Sequence, residues 1–350
     1  MKYNLFISSI NPGVGKTTFA LALALNLKQD GLNIGYFKPI SDSVRDKDAE
    51  NAKNLLGMDE SLEIINPVQI TPYEYDLTPE QRTEKIDEIK VAFEILSKNY
   101  DMLIIEGCRR IHYLSFLKLS ARDLFSIYKA KMLIISSGAD VEDIDRIILG
   151  VEFLRNSQIE CIGGILSMVP VDLIEKYQET ILPRLEEILN IQITGIIPNK
   201  STLVAPSVKD LLELLDGEVI LGDAYLDNLV ENYVVGAMEP DTALKYFRNS
   251  ERKAVITGGD RPQIAVAALE TDTSCLILTG SIYPSSSILA KAELKHVPVI
   301  LVKGDTFSTI KKITSSTHYG RIHQGQTQKL MAWRQMIDQI DCKTLIDKLK

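Results

Sequence analysis

Ile10-Asn11-Pro12-Gly13-Val14-Gly15-Lys16-Thr17-Thr18 stands directly after a short apolar run, Leu5–Ser8, and directly before a helical pattern, Thr17–Gln29. Glycines let successive backbone N–H groups turn inward around an anion. A lysine ammonium reaches the same oxygens, and a hydroxyl in the place of Thr17 suits Mg²⁺. Residues Asn11, Pro12, Gly13, Val14, Gly15, Lys16, Thr17 and Thr18 therefore read as a loop that cradles the phosphates of a nucleotide. The full pattern, GxxxxGK[ST], has its first glycine replaced by Ile10. A β-branched residue would be strained at positive φ, so the loop entry is expected to differ.

Outward from this loop, apolar runs alternate with amphipathic ones. Asn33–Phe37, Met102–Ile105, Lys131–Ser136, Cys161–Leu166 and Thr194–Ile197 read as buried strands. Ala49–Leu56, Glu80–Lys98, Val141–Arg155 and Leu173–Leu189 read as helices, with Leu203–Leu215 as a closing helix. Near-continuous apolar strands between helices imply an α/β, doubly wound, mostly parallel sheet covered on both faces. After Asp216-Gly217 a second, smaller α/β series begins, with strands at Glu218–Leu221, Ala254–Thr257, Cys275–Thr279 and Val297–Val302. The expected domains are 1–215, 216–330 and a C-terminal helix or tail, 331–350. Residues from Ser315 to Gln328, including His318 and His323, suggest a mobile loop, and Tyr73-Glu74-Tyr75 a surface loop or substrate lid.

The 350 residues carry a formal net charge of -8, which argues against non-specific nucleic-acid binding. No apolar run approaches the ~20 residues that span a bilayer, and the first strand does not read as a signal peptide. Cys108, Cys161, Cys275 and Cys342 are widely spaced, with neither zinc nor disulfide patterning, so a reducing, cytoplasmic setting is expected.

Further chemistry falls at strand ends. Lys38 leaves a strand in Tyr36-Phe37-Lys38-Pro39 and points to the crevice of an open α/β sheet. Asp48, in Asp46-Lys47-Asp48-Ala49-Glu50, either caps a helix or faces Mg²⁺. Glu106 ends Met102-Leu103-Ile104-Ile105-Glu106-Gly107 as a carboxylate beside the phosphates, in the position that holds Mg²⁺ or its water. Pro198, closing Gly195-Ile196-Ile197-Pro198, flanks a base or merely stops a strand. Cys108 sits beside Arg109 and Arg110, which would lower its pKa. No histidine is read as its partner, so it is not expected to be a nucleophile.

These residues, in this order, resemble dethiobiotin synthetase and the related cobyrinate diamide synthetase group over roughly the first 212 residues. The resemblance implies ATP and Mg²⁺ as cofactors, Lys16 and Lys38 as the cationic clamp, and Thr17, Asp48 and Glu106 as the metal set. Lys16, Lys38 and Glu106 would then carry the catalytic work; apart from the resemblance, Arg109 is read from its charge as a further clamp. That family follows its acid with a glycine-rich run, where this chain has Cys108-Arg109-Arg110. It reads adenine with an asparagine where Ser167 stands here. Asn228–Met238, Lys253–Arg261, Cys275–Gly280 and Val299–Thr306 resemble the DRTGG domain. The two together resemble the N-terminal region of long phosphotransacetylases.

The expected function is Mg²⁺–ATP binding with slow hydrolysis and a regulatory role through the second domain, linked to acetyl phosphate metabolism. The alternative is an ATP-dependent ligase or carboxylase forming an acyl- or carbamoyl-phosphate. Gly258-Gly259, Gly280 and Gly304 each follow a strand of the second domain. With Arg261 and Lys303 they form one crevice for a small anionic metabolite, a homodimer contact, or simply the tight turns of a structural domain; all three readings stay open.

Overall fold

A computed structural model of the chain describes residues 3–42, 46–71, 74, 76–315, 327–338 and 340–349. The lid-or-loop reading of Tyr73 and Tyr75, and the mobile-loop reading with His318 and His323, fall outside these residues. The chain divides into two compact units, Met1–Lys200 with Ile322–Lys350, and Ser201–Arg321.

In the first unit the strands are β1 (Tyr3–Ser9), β2 (Ile34–Phe37), β3 (Ile40–Ser41), β4 (Val68–Gln69), β5 (Met102–Glu106), β6 (Lys131–Ser137), β7 (Cys161–Val169) and β8 (Ile193–Pro198). Six of them form a parallel sheet in the order β2-β5-β1-β6-β7-β8. The chain winds outward from β1 to β2, returns to β5, then crosses to β6 on the other side of β1. That reversal opens a crevice at the carboxyl end of β1. Pairing of Ile7 with Glu106 brings the acid to the start of the phosphate loop. Beneath the crevice Phe6 stacks on Tyr128 at 5.5 Å, and Phe93 meets the edge of Tyr128 at 5.6 Å, so the floor is a rigid aromatic layer.

Leu173–Leu189 is not one regular helix. Turns of 3-10, α and π type at Val171–Leu173, Ile174–Lys176 and Tyr177–Ile181 precede the helix Leu182–Leu189. Pro183 near that helix start has no N–H to give the preceding turn, which widens.

Leu203–Leu215 also divides, at Pro206, into Ser201–Val204 and Val208–Leu215, the latter capped by Ser207. Val208, Leu211 and Leu215 pack with Val230, Ala254 and Ile256, so this helix belongs to the second unit and does not close the first. The stretch expected as a C-terminal helix or tail forms two helices, Thr327–Ile337 and Cys342–Leu349, that return to the first unit. Ile340 fills the space over Gly195, where a Cβ would lie 2.7 Å from it.

The second unit has β9 (Glu218–Leu221), β10 (Asn232–Val235), β11 (Lys253–Gly258), β12 (Thr273–Thr279) and β13 (Val299–Leu301). Their order is β10-β11-β12-β13-β9, with β9 antiparallel to β13 and the others parallel. Strict alternation sorts the side chains. Val255, Leu276, Leu278 and Val299 face the helices Pro240–Arg248, Pro262–Leu269 and Ser286–Leu294; Ala254, Ile256, Cys275, Ile277 and Ile300 face the other side. β10, which no strong alternation announces in the sequence, is a half-exposed edge.

Candidate functional site

Gly15 takes φ 81° and caps the helix Lys16–Gln29, and Gly13 takes φ 70°. These left-handed residues aim the first N–H groups of that helix into the crevice. Ile10 takes no left-handed φ, so its β-branched side chain is unstrained there. It lies on Gly150 of the helix Val141–Asn156, where a Cβ would come 2.0 Å from its Cδ1. The altered loop entry is thus housed by a glycine 140 residues away. Asn11 tethers the loop: its Oδ1 accepts from Ser136 Oγ at 2.8 Å and Ser137 N at 3.2 Å, and its Nδ2 donates to Asp143 Oδ1 at 2.6 Å. Val14 and Thr18 are buried behind the loop, and Pro12 and Gly13 are exposed at its tip.

The structure brings Lys16, Thr17, Lys38, Asp48 and Glu106 together. Thr17 Oγ1 donates to Glu106 Oε1 at 2.6 Å and lies 3.5 Å from Asp48 Oδ2. Lys38 Nζ pairs with Asp46 at 2.9 Å and Asp48 at 3.1 Å. Lys16 Nζ donates to Ser9 Oγ at 2.9 Å and to the Arg109 carbonyl. Burial disfavours the charge on both lysines. It holds Lys16 below the usual lysine range, whereas for Lys38 the carboxylates of Glu106, Asp48 and Asp46 outweigh it and raise the pKa. Asp46, read only as part of an acidic cluster, both pairs with Lys38 and caps its helix through the N–H groups of Asp48 and Ala49.

Two participants escaped the sequence reading. Tyr36, wholly buried, donates its hydroxyl to Glu106 Oε2 at 2.5 Å; burial first, then the Glu106 charge, drives its pKa up. A tyrosine within a strand reads as core, and only the neighbouring Lys38 hinted otherwise. Asp143 holds Asn11 and accepts from Arg146 at 3.1 Å, although in sequence it is an ordinary first-turn acid.

Ser167 and Pro198 do not join this cluster. Ser167 lies two residues before the end of β7 and Pro198 ends β8, two and three strands from β1, which at about 4.8 Å per strand is roughly 10 and 14 Å along the sheet edge.

Arg109 turns its guanidinium away from the loop, onto Asp42 and over the Tyr113 ring at 5.3 Å. Its carbonyl, not its charge, faces Lys16. Cys108 departs from expectation: burial, with Asp42 adding to it, pushes its thiol up to about 12 despite the nearby cations.

Beside the tip of the loop lies a cavity of about 530 Å³, lined by Asn11, Pro12, Ile111, Arg110, Arg146 and Phe153 among others. Among the described residues no group of three or more His, Cys, Asp or Glu forms a metal cage, and no helix is long and apolar enough to cross a membrane.

The three glycine loops of the second unit are neighbours, with Gly280 N bonded to Gly304 O at 2.9 Å and Gly259 N to Thr279 O at 3.4 Å. Arg261 is not presented to a ligand. It donates to the carbonyls of Gly236 at 2.7 Å and Met238 at 3.1 Å. Lys303 is exposed.

Comparison with known proteins finds a family match for each part of the chain. An AAA domain family model matches residues 3–207, and a DRTGG domain model matches residues 210–316. The phosphate acetyltransferase of Nitratidesulfovibrio vulgaris is 25% identical over 94% of this chain and 49% of its own length. The chain therefore spans about half of that relative. The ATP-dependent dethiobiotin synthetase BioD of Methanocaldococcus jannaschii is 31% identical over 56% of this chain and 94% of its own. Among solved structures, the CBS and DRTGG domains of Clostridium perfringens pyrophosphatase, complexed with diadenosine tetraphosphate, are 27% identical. They cover 36% of this chain and 53% of that one, at a TM-score of 0.29. With a family match across more than half of its residues and a dethiobiotin synthetase covered almost end to end, this chain belongs to the dethiobiotin synthetase-like AAA domain family of P-loop proteins and carries a DRTGG domain behind it.

Proposed function

We propose that the protein binds Mg²⁺–ATP at the phosphate loop and hydrolyses it slowly, with the DRTGG domain in a regulatory role. One observation carries this reading: Thr17, Glu106 and Asp48 converge, with a hydroxyl 2.6 Å from one carboxylate and 3.5 Å from the other. Hard oxygen donors of this kind and number suit Mg²⁺, which keeps several waters and phosphate oxygens and needs no all-protein cage. The ion would be held by Thr17, Asp48 and Glu106, and would supply charge neutralisation on the β- and γ-phosphates. Lys16 and Lys38 would hold phosphate oxygens, and the N–H groups of Gly13 to Thr18 would surround them. Ser167 and Pro198 would border the nucleoside. Tyr36 would orient Glu106 through its short hydrogen bond.

Calorimetric titration with ATP and GTP, with and without Mg²⁺, tests this. Glu106→Gln is expected to keep nucleotide bound while phosphate release slows at least about tenfold, since a charge beside the metal is lost without a change of size. Unchanged turnover would reduce Glu106 to a strand-end acid.

A second reading, an ATP-dependent ligase acting on a carboxylated metabolite, is favoured by the cavity beside Pro12 with Arg110 and Arg146 in its wall. Phosphate release that rises on adding such a metabolite would support it. A link to acetyl phosphate metabolism, a cytoplasmic setting and a homodimer complete the proposal; sedimentation of the full chain with and without Mg²⁺–ATP tests the last.

A further inference from the structure

The helices that end the chain are reached only after the second unit has been traversed, yet they pack within the first. Thr327–Ile337 lies against Lys16–Gln29, the helix that the phosphate loop opens. Cys342–Leu349 is fixed to the sheet: Lys348 Nζ donates to Ile162 O at 3.0 Å and Gln192 Oε1 at 2.9 Å, and Lys131 Nζ to Lys348 O at 2.8 Å. Between them Asp341 N donates to Thr194 O at 3.0 Å. So anchored, the first helix carries Trp333, the only tryptophan of the chain and 3% exposed. Its Cη2 lies 3.7 Å from the point where a side chain on Gly15 would begin.

Gly15 sets the direction of the loop, since its left-handed conformation starts the helix that presents Lys16 and Thr17. A rigid ring one methyl group away on its side-chain face bounds the space into which the glycine could swing. We propose that Trp333 is a positioning residue for the phosphate loop, so that nucleotide occupancy and the packing of the C-terminal helix are thermodynamically linked. This rests on the nucleotide-binding reading above. Linkage is reciprocal: whatever steadies the loop steadies the helix, and whatever loosens the helix weakens nucleotide binding.

The test uses the full-length protein, its single tryptophan and Mg²⁺–ATP. Tryptophan emission is followed during the titration, and affinity is measured separately by calorimetry for the wild type, Trp333→Phe and Trp333→Ala. The emission of the wild type is expected to shift in step with calorimetric saturation. Trp333→Ala should bind about 5- to 50-fold more weakly, with Trp333→Phe between, at an unchanged unfolding midpoint for the phenylalanine variant. Should the alanine variant fail to fold, the phenylalanine variant and the wild-type emission still decide. Heat of binding with silent tryptophan emission and equal affinities overturns the inference alone. No heat of binding in the wild type overturns the nucleotide reading, and this inference with it.

Discussion

Both units end parallel strands in glycine-bearing loops, but the two edges are opposites. In the first, nothing lies within 4 Å of the position a Cβ would take on Gly13, and the charged groups of the cluster face the same space. In the second, the carbonyl of Ile282 lies 1.9 Å from where a Cβ on Gly259 would sit, and Arg261 is bonded to the backbone carbonyls of Gly236 and Met238. Topology explains the contrast. Strand order reverses around β1, so neighbouring crossovers leave on opposite faces and a crevice opens. From β10 to β13 the order never reverses, successive helices share a face, and the loops close on one another. Glycines after strands permit a close approach, and the winding decides whether a ligand or the protein itself makes it.

Breaking this comparison requires a variant that behaves alike at both edges. The largest effect should come from Lys16→Ala, which removes a charged donor from the open loop. Mg²⁺–ATP affinity is expected to fall about a hundredfold, the scale of one lost charge-assisted contact, with the unfolding midpoint nearly unchanged. Calorimetry together with thermal unfolding checks both halves. Wild-type affinity in this variant would remove the loop from the site.

Next in size, Gly259→Ala should leave nucleotide affinity alone and destabilise the second unit by about 1–3 kcal/mol, because the new methyl overlaps backbone that cannot withdraw. Denaturant unfolding measures it. A neutral result would mean that the second edge is as open as the first.

The smallest effect separates two buried lysines. Lys38 has carboxylate partners and a raised pKa, so its contribution to stability is fully present below the ordinary lysine value and is lost only as pH rises through a still higher one. Lys253 in the second unit donates to the carbonyls of Ser250 at 2.9 Å and Asp272 at 2.5 Å, and burial lowers its pKa. Its proton is therefore bound less tightly in the fold than in the unfolded chain, and stability should rise as pH climbs through its folded value toward about 10.5. Unfolding midpoints of the wild type and Lys253→Met between neutral pH and pH ~10 should diverge in favour of the wild type. Parallel curves would deny the burial cost.

The sequence by itself determined whatever is local in the chain. Glycines and a lysine between a strand and a helix dictate a phosphate loop, because N–H groups and φ angles are set by near neighbours. Apolar runs placed the strands of the first sheet, and Glu106 was legible because it ends one of them. Tertiary structure decided what depends on neighbours far along the chain. Glu106 reaches Thr17 only because β5 inserts beside β1, and Tyr36 reaches Glu106 only because β2 lies on the other side of β5. Asn11 is held by Asp143, and Ile10 is housed by Gly150, on a helix beyond β6. The helix Val208–Leu215 carries a clear apolar face, but a face alone does not name the sheet it covers, and it went to the second unit. The last two helices returned to the first, where Ile340 fills the gap above Gly195 and Trp333 borders Gly15. Periodicity tells a segment that it must bury one side; which surface receives it is settled by crossover geometry and by the space that remote glycines leave open.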